Sequence, residues 1–210
     1  MARFLLIAFV CLFSFSCEIE RDPYDVLADA IRKGDEQKVR ELISSGLELN
    51  PNKKNWTPLM IAVLRTNTEM VDLLLEKGAD IQKRNEKGQT PLHLASRWGK
   101  EELAEHLIKR GAFLEARDTL SWTPLMWASL RGRDKMVKIL LDRGANVNVR
   151  DIDGNSPLIL SAWYGHGSTA KIIISYGGNK YLKNEEGKTA CDVAKNKDYP
   201  KVLKLLGKCR

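Results

Sequence analysis

Few residues of this chain belong to the types that usually carry enzymatic or metal chemistry. The 210 residues include three histidines and four cysteines, which are His93, His106, His166, Cys11, Cys17, Cys191 and Cys209. No two cysteines have the CxxC spacing of a zinc site. The sequence also lacks the HExxH, GxSxG and GxGxxG motifs and the phosphate-binding P-loop. We therefore expect no enzymatic activity, no metal site and no cofactor.

The composition is that of a chain able to bury a core. Hydrophobic residues make up 43% and charged residues 29% of the sequence, which excludes a chain that is disordered throughout. The formal net charge of +7 comes from 34 Lys and Arg against 27 Asp and Glu. Because no run of five or more basic residues occurs, we expect no binding to nucleic acid.

The N-terminal segment has the features of an export signal. Arg3 precedes ten apolar residues, 4–13, and a bilayer-spanning helix needs about 20. Small residues then lead to Cys17, in a run that resembles the lipobox of bacterial lipoproteins, although Ser14 stands where that family usually has Leu. The resemblance implies lipidation of Cys17. Plain secretion and a helix packed into the fold are the alternatives.

The rest of the chain repeats with a period of 33 residues. Thr57-Pro58-Leu59 recurs as Thr90-Pro91-Leu92, Thr123-Pro124-Leu125 and Ser156-Pro157-Leu158, and then weakens to Thr189-Ala190-Cys191. Glycines keep the same period at Gly78, Gly111, Gly144 and Gly177, and again at Gly99, Gly132 and Gly165. A sustained period of this length is typical of stacked repeats, in which neighbouring units together bury a continuous core.

The repeated unit resembles the ankyrin repeat, since residues 90–95 read Thr-Pro-Leu-His-Leu-Ala. The resemblance implies an all-α solenoid of six helix–turn–helix units, two caps and four full repeats, joined by hairpin loops. Threonine and proline at the start and glycine at the end predict a first helix at 91–98 and a second at 101–109. We expect a signal peptide at 1–16, a tether at 17–23 and the repeat domain at 24–210.

Histidines and cysteines then take structural roles. The resemblance implies that His93 and His166 hydrogen-bond to neighbouring units. His106 replaces an aliphatic residue of the second helix, so we expect a core histidine that is hydrogen-bonded or partly exposed, with a pH-sensitive weak point as the alternative. Cys191 replaces the Leu of Thr-Pro-Leu. We expect it to be buried and reduced and Cys209 to be free, with a disulfide between them as the alternative.

The resemblance also implies a binding surface, because ankyrin arrays bind partners on a concave face made of hairpin tips and the ends of first helices. Tryptophan, tyrosine and arginine dominate binding hot spots. The candidates are Trp56, Arg65, Arg97, Trp98, Trp122, Arg131, Trp163 and Tyr164. Packing within each repeat is the alternative role for the tryptophans.

These features predict an exported, membrane-tethered, non-catalytic scaffold that binds a protein partner of unknown identity as a monomer, in the periplasm or cell envelope. A secreted effector acting on host proteins and a periplasmic protector or inhibitor of an enzyme are the alternatives.

Overall fold

The computed structural model describes residues 22–51 and 56–207. Helices are the only regular secondary structure in these two ranges, which contain no strand. Twelve helices occur there: α1 (Pro23–Lys33), α2 (Glu36–Ser44), α3 (Pro58–Arg65), α4 (Thr68–Glu76), α5 (Pro91–Trp98), α6 (Glu101–Lys109), α7 (Pro124–Leu130), α8 (Asp134–Asp142), α9 (Pro157–Trp163), α10 (Gly167–Ser175), α11 (Ala190–Asn196) and α12 (Pro200–Leu206). The predicted all-α architecture is confirmed, and α5 and α6 have the predicted bounds.

The first helix of each full repeat begins as its sequence predicts. The hydroxyl oxygens of Thr57, Thr123 and Ser156 accept hydrogen bonds from the backbone N–H three residues later, at 3.2, 3.4 and 3.3 Å. Proline follows each of them at the first helical position, where its missing N–H would have no helical partner. The repeated Thr/Ser-Pro pair therefore fixes where each repeat starts its helices.

First helices end in left-handed backbone at one periodic position. Gly99 confirms the prediction with φ 64°. The same position holds Thr66 at φ 58° and Asp198 at φ 56°, two residue types that pay a steric cost for a positive φ. The backbone N–H of Thr66 donates to the carbonyl oxygens of Ala62 and Val63, so the turn keeps its hydrogen bonds even where the sequence lacks glycine.

The helices form two layers, and the core lies between them. Helices α1, α3, α5, α7, α9 and α11 contact one another in that order, while α6, α8, α10 and α12 form a second layer. Each first helix also contacts the second helix of its own unit. Buried aliphatic residues from every unit join into one cluster. A smaller cluster contains Met126, Trp127, Leu130, Val149 and Leu160.

Hairpin loops join the units and contact one another. Asp151 shows the predicted turn chemistry, because its Oδ1 accepts the backbone N–H groups of Asp153 at 3.0 Å and Asn155 at 2.7 Å. The next hairpin then donates from the N–H of Glu185 to the carbonyl of Asp153 at 2.9 Å. Successive hairpins are thereby held in register at one edge of the array.

Cys191 corrects one expectation. It is buried on the first helix of the last unit, 6% exposed, as predicted. However, it takes part in a disulfide bond, so it is not the reduced thiol that we expected. Its Sγ lies 3.7 Å from the carbonyl oxygen of Gly207, where α12 ends. Cys209 lies outside the described residues.

The predicted signal peptide, the lipidation of Cys17 and most of the tether also lie outside the described residues. Within 22–51 and 56–207, no helix is both long enough and apolar enough to cross a membrane.

Candidate functional site

The eight predicted binding residues lie where their phase in the repeat placed them. Trp56 and Trp122 come just before the N-caps of α3 and α7, and the other six lie at or beside the C-terminal ends of α3, α5, α7 and α9. We use "concave face" for the surface formed by these two groups of positions.

Exposure divides the aromatic residues of this face. Trp56, Trp98 and Tyr164 are 42, 49 and 53% exposed, whereas Trp122 and Trp163 are partly buried. The exposed aromatics offer apolar surface that nothing in the described residues covers. The two partly buried tryptophans also contribute to packing within the array.

Trp122 is held by the hairpins around it. Its indole Nε1 donates to Oδ2 of Asp151 at 2.9 Å, and its ring lies 4.8 Å from that of Trp127 in an edge-to-face arrangement. Trp127 is buried and donates from Nε1 to Oδ2 of Asp118 at 2.8 Å. Packing and hydrogen bonding within the array therefore explain the position of the Trp122 side chain, and its role in binding stays a prediction.

An apolar groove of about 570 Å³ opens at the N-terminal half of the concave face. Trp56, Ile61, Leu64 and Trp98 supply its apolar walls. The charged residues at its rim are all basic: Arg32, Arg65 and Lys100. This combination is suited to an apolar side chain next to an anionic group.

Arg97 lies between two tryptophans and has no anionic partner in the described chain. Its guanidinium carbon is 4.6 Å from the ring centroid of Trp127 and 5.5 Å from that of Trp98. Its Nε is buried without a hydrogen-bond partner among the described residues. Burial lowers the pKa of Arg97 from its ordinary value, and the positive charge of Arg131 lowers it further. The positive charges of Arg97 and Arg131 on the concave face therefore repel each other.

A second groove, of about 400 Å³, lies at the C-terminal half. Trp163 and Tyr164 line it together with Asp153, Glu185 and Glu186. Two of these carboxylates already form ion pairs within the chain. Oε1 of Glu185 lies 3.7 Å from Nη2 of Arg150, and Oε2 of Glu186 lies 2.6 Å from Nζ of Lys188. The acidic groove is thus partly neutralised by the chain itself.

The three histidines hold neighbouring units together. The Nε2 atoms of His93 and His166 lie 2.9 and 3.0 Å from the carbonyl oxygens of Trp122 and Leu130. His106 is half-buried, as predicted, and its Nε2 lies 2.8 Å from Oδ1 of Asp72.

Arg110 forms an ion pair with the same carboxylate of Asp72.

Among residues 22–51 and 56–207, no group of three or more His, Cys, Asp or Glu side chains could hold a metal ion.

Three residues that line the first groove, Arg32, Ile61 and Lys100, are not among the predicted binding residues. Ile61 stands two periods before Trp127; it packs against the core and is also partly exposed at the groove wall. The signal was present, because positions 61, 94, 127 and 160 hold Ile, Leu, Trp and Leu, and only the third is large. Arg32 and Lys100 carried no such signal.

Comparison with known proteins agrees with this architecture. A family model described as ankyrin repeats (3 copies) matches residues 6–85, 26–118 and 82–151, which together cover more than half of the chain. The chain is 40% identical over 62 residues to an ankyrin repeat, SAM and basic leucine zipper domain-containing protein 1 of Notamacropus eugenii, a match that covers 29% of this chain and 13% of that protein. It is 41% identical over 61 residues to putative ankyrin repeat protein FPV240 of Fowlpox virus (strain NVSL), covering 28% of this chain and 15% of the relative.

The matched segment is therefore a small part of each relative, 13% and 15% of its length. The family matches, by contrast, overlap one another and together run from residue 6 to residue 151, a range that includes α1 to α8. The chain belongs to the ankyrin-repeat family.

Proposed function

We propose that this protein is an exported, membrane-tethered, non-catalytic scaffold that holds a partner protein against its concave face. Ankyrin repeats suggest a protein–protein interaction scaffold, since solenoids of this kind present extended binding surfaces. The observation that carries the proposal is the exposed Trp56, Trp98 and Tyr164 on one surface. Isolated exposed apolar residues are ordinary, but aromatics grouped beside arginines are typical of binding sites.

The tether rests on the N-terminal sequence. Ten apolar residues lead to Cys17, and six residues separate Cys17 from Tyr24. An acyl group on Cys17 would hold the first repeat close to the membrane surface. A single acyl chain anchors weakly, so the diacylated cysteine that the lipobox resemblance implies would be the stable form.

A photo-crosslinking experiment tests the binding surface. Leu120 is an exposed hairpin-tip residue, 44% exposed, and Lys138 is exposed on α8, away from the concave face. A photoreactive amino acid at Leu120 should capture a discrete protein from the native cell envelope, and the same amino acid at Lys138 should not. Equal capture at both positions, or at neither, would contradict binding through this face.

The tether has its own test. Cys17→Ala should abolish labelling of the protein by radioactive fatty acid and leave a slower-migrating precursor, and Cys11→Ala, in the same segment, should leave labelling unchanged. Normal maturation of the Cys17 variant with release into the soluble fraction would favour plain secretion, and with it the effector alternative. Co-purification of an enzyme activity would favour the protector or inhibitor alternative.

A further inference from the structure

We propose that the concave face recognises an acidic, extended segment of its partner, with an apolar side chain in the groove of Trp56, Ile61, Leu64 and Trp98 and a carboxylate between Arg97 and Arg131. This inference rests on the proposed scaffold function and specifies the chemistry of its partner.

The fold leaves several cations of the concave face and its first groove unpaired. Arg65, Arg97, Lys100 and Arg131 make no ion pair with any described carboxylate. Among the arginines of other surfaces, Arg40, Arg110 and Arg150 each have an acidic partner, whereas Arg133 and Arg143 make no ion pair with a described carboxylate. Four unpaired cations therefore lie on the surface that also exposes Trp56 and Trp98.

Arg97 and Arg131 form the centre of the proposed anion site. Like charges placed together destabilise a fold unless something offsets them, and here the offset within the chain is the pair of indole rings at 4.6 and 5.5 Å from Arg97. A guanidinium that lies over an aromatic ring keeps its in-plane N–H groups for a second partner. The Nε of Arg97 is buried and has no partner among the described residues, so a carboxylate would have to approach the terminal N–H groups of this half-buried side chain. A carboxylate can accept two of these hydrogen bonds and neutralise both arginines.

Trp98 links this site to the groove, since its ring lies beside Arg97 and also lines the cavity of about 570 Å³. The groove lies between α3 and α5, whereas Arg97 and Arg131 lie at the ends of α5 and α7. Neighbouring helices are about 8–10 Å apart, and an extended chain advances roughly 3.3 Å per residue. The apolar and acidic residues of the partner should therefore be about three positions apart.

The charges around the two grooves favour an acidic partner segment over a basic one. The rim of the first groove is wholly basic, while the acidic residues of the second groove are largely paired within the chain. A basic segment would meet Arg65 and Lys100, and no acidic residue among the described ones lines this groove. An acidic segment would form a favourable electrostatic interaction with each unpaired cation.

A random 12-residue peptide library displayed on phage tests the proposal, with the purified repeat protein as bait. Enriched peptides should carry Asp or Glu two to four positions from a Leu, Phe or Trp. A synthetic enriched peptide should bind Arg97→Gln and Arg131→Gln about tenfold more weakly than wild type, and Trp98→Ala similarly. Arg143→Gln is the matched control, because Arg143 is exposed beside the end of α8, and it should bind within twofold of wild type.

Several results would overturn the inference. Enriched peptides without an acidic preference, or binding unchanged in both concave-face arginine variants, would do so while leaving a protein-binding scaffold intact. Displacement of the peptide by a short DNA duplex at physiological salt would instead indicate a phosphate site. Failure to enrich any peptide, together with failure of the Leu120 crosslink, would remove both the inference and the proposed function. Thermal unfolding of each variant shows that it is folded, and Arg131, being exposed, is the safer of the two substitutions.

Discussion

His93 of the second full repeat donates from Nε2 to the carbonyl oxygen of Trp122 in the following hairpin, at 2.9 Å. Its Nδ1 accepts the backbone N–H of Thr90 at 3.1 Å. The imidazole is fully buried and uses both ring nitrogens as a neutral side chain does. One histidine thus fixes the start of its own helix and the position of the next repeat.

This arrangement predicts a pH-dependent stability. Burial lowers the pKa of His93 below the ordinary value of 6.5, and Arg84 adds to this, whereas the Trp122 carbonyl and Asp118 oppose it. Below about pH 6.5 the unfolded chain binds a proton at this histidine that the folded chain does not. The free energy of unfolding should therefore fall as the pH drops from about 6.5 toward the lowered pKa of the folded state.

Urea unfolding of wild type and His93→Gln at pH 7.5, 6.5 and 5.5 isolates this effect, because both proteins keep His106 and His166. The stability advantage of wild type should shrink as the pH falls. A constant difference across the series would contradict the assignment.

Trp98 and Trp127 should respond in opposite ways to truncation. Trp127→Ala removes a buried side chain and its hydrogen bond to Asp118, so it should lower the free energy of unfolding by about 3–5 kcal/mol. Trp98 is 49% exposed, and Trp98→Ala should cost less than about 1 kcal/mol of stability but weaken partner binding by at least about 1–2 kcal/mol. Urea unfolding and titration with the captured partner check both. A large stability loss with unchanged binding would show that Trp98 only packs.

Thr66→Gly should stabilise the protein. Thr66 adopts φ 58° at the position where the following repeats have glycine, and left-handed backbone costs a non-glycine residue roughly 1–2 kcal/mol. Glycine removes this cost but loses about 0.5–1 kcal/mol through its freedom in the unfolded chain, which leaves a net gain of up to about 1.5 kcal/mol. Thr68→Gly, at the first position of α4, is the control and should destabilise. A lower melting temperature for Thr66→Gly would contradict the prediction.

Alanine substitutions at Gly88 and Gly187 distinguish the cost of backbone strain from the cost of a steric clash between repeats. Both have nearly the same φ, 70° and 72°, at equivalent positions of two hairpins. A Cβ on Gly88 would lie 2.9 Å from the backbone nitrogen of Thr119 in the next hairpin, whereas a Cβ on Gly187 meets nothing within 4 Å. Gly187→Ala should cost about 1 kcal/mol from strain alone, and Gly88→Ala at least twice as much. Equal costs in chemical unfolding would show that the hairpins move apart freely.

The disulfide of Cys191 should fasten the last unit. Because its Sγ lies near the carbonyl of Gly207, we expect Cys209, two residues further along, to be its partner. Closing a loop of about 19 residues would stabilise the fold by roughly 3 kcal/mol in the chain-entropy model. Alkylation in denaturant without reductant should leave Cys191 unlabelled in wild type and label it in Cys209→Ala, as read by mass spectrometry of its peptide. Labelling of Cys191 in wild type would show that the bond is absent.

The repeated helix starts show how much of the fold could be predicted. Thr57, Thr123 and Ser156 cap through contacts within three residues of themselves, so local chemistry and a 33-residue period were enough to predict them. The bounds of α5 and α6 followed for the same reason. By contrast, Thr66 adopts a positive φ against its own preference, while its backbone N–H keeps its hydrogen bonds to Ala62 and Val63 at the end of α3.

The sequence by itself determined the repeat architecture, the phase of every helix and the surface on which Trp98 and Arg97 lie, because each depends on periodic, short-range chemistry. Only the tertiary structure decided that Trp122 is held by Asp151 while Trp98 stays exposed, although both occupy the same predicted surface. It also placed Arg97 over Trp127 of the next repeat and brought Gly207 to Cys191. These contacts join residues that are distant in the chain, and their distances depend on how the helices stack, which no residue type or spacing encodes.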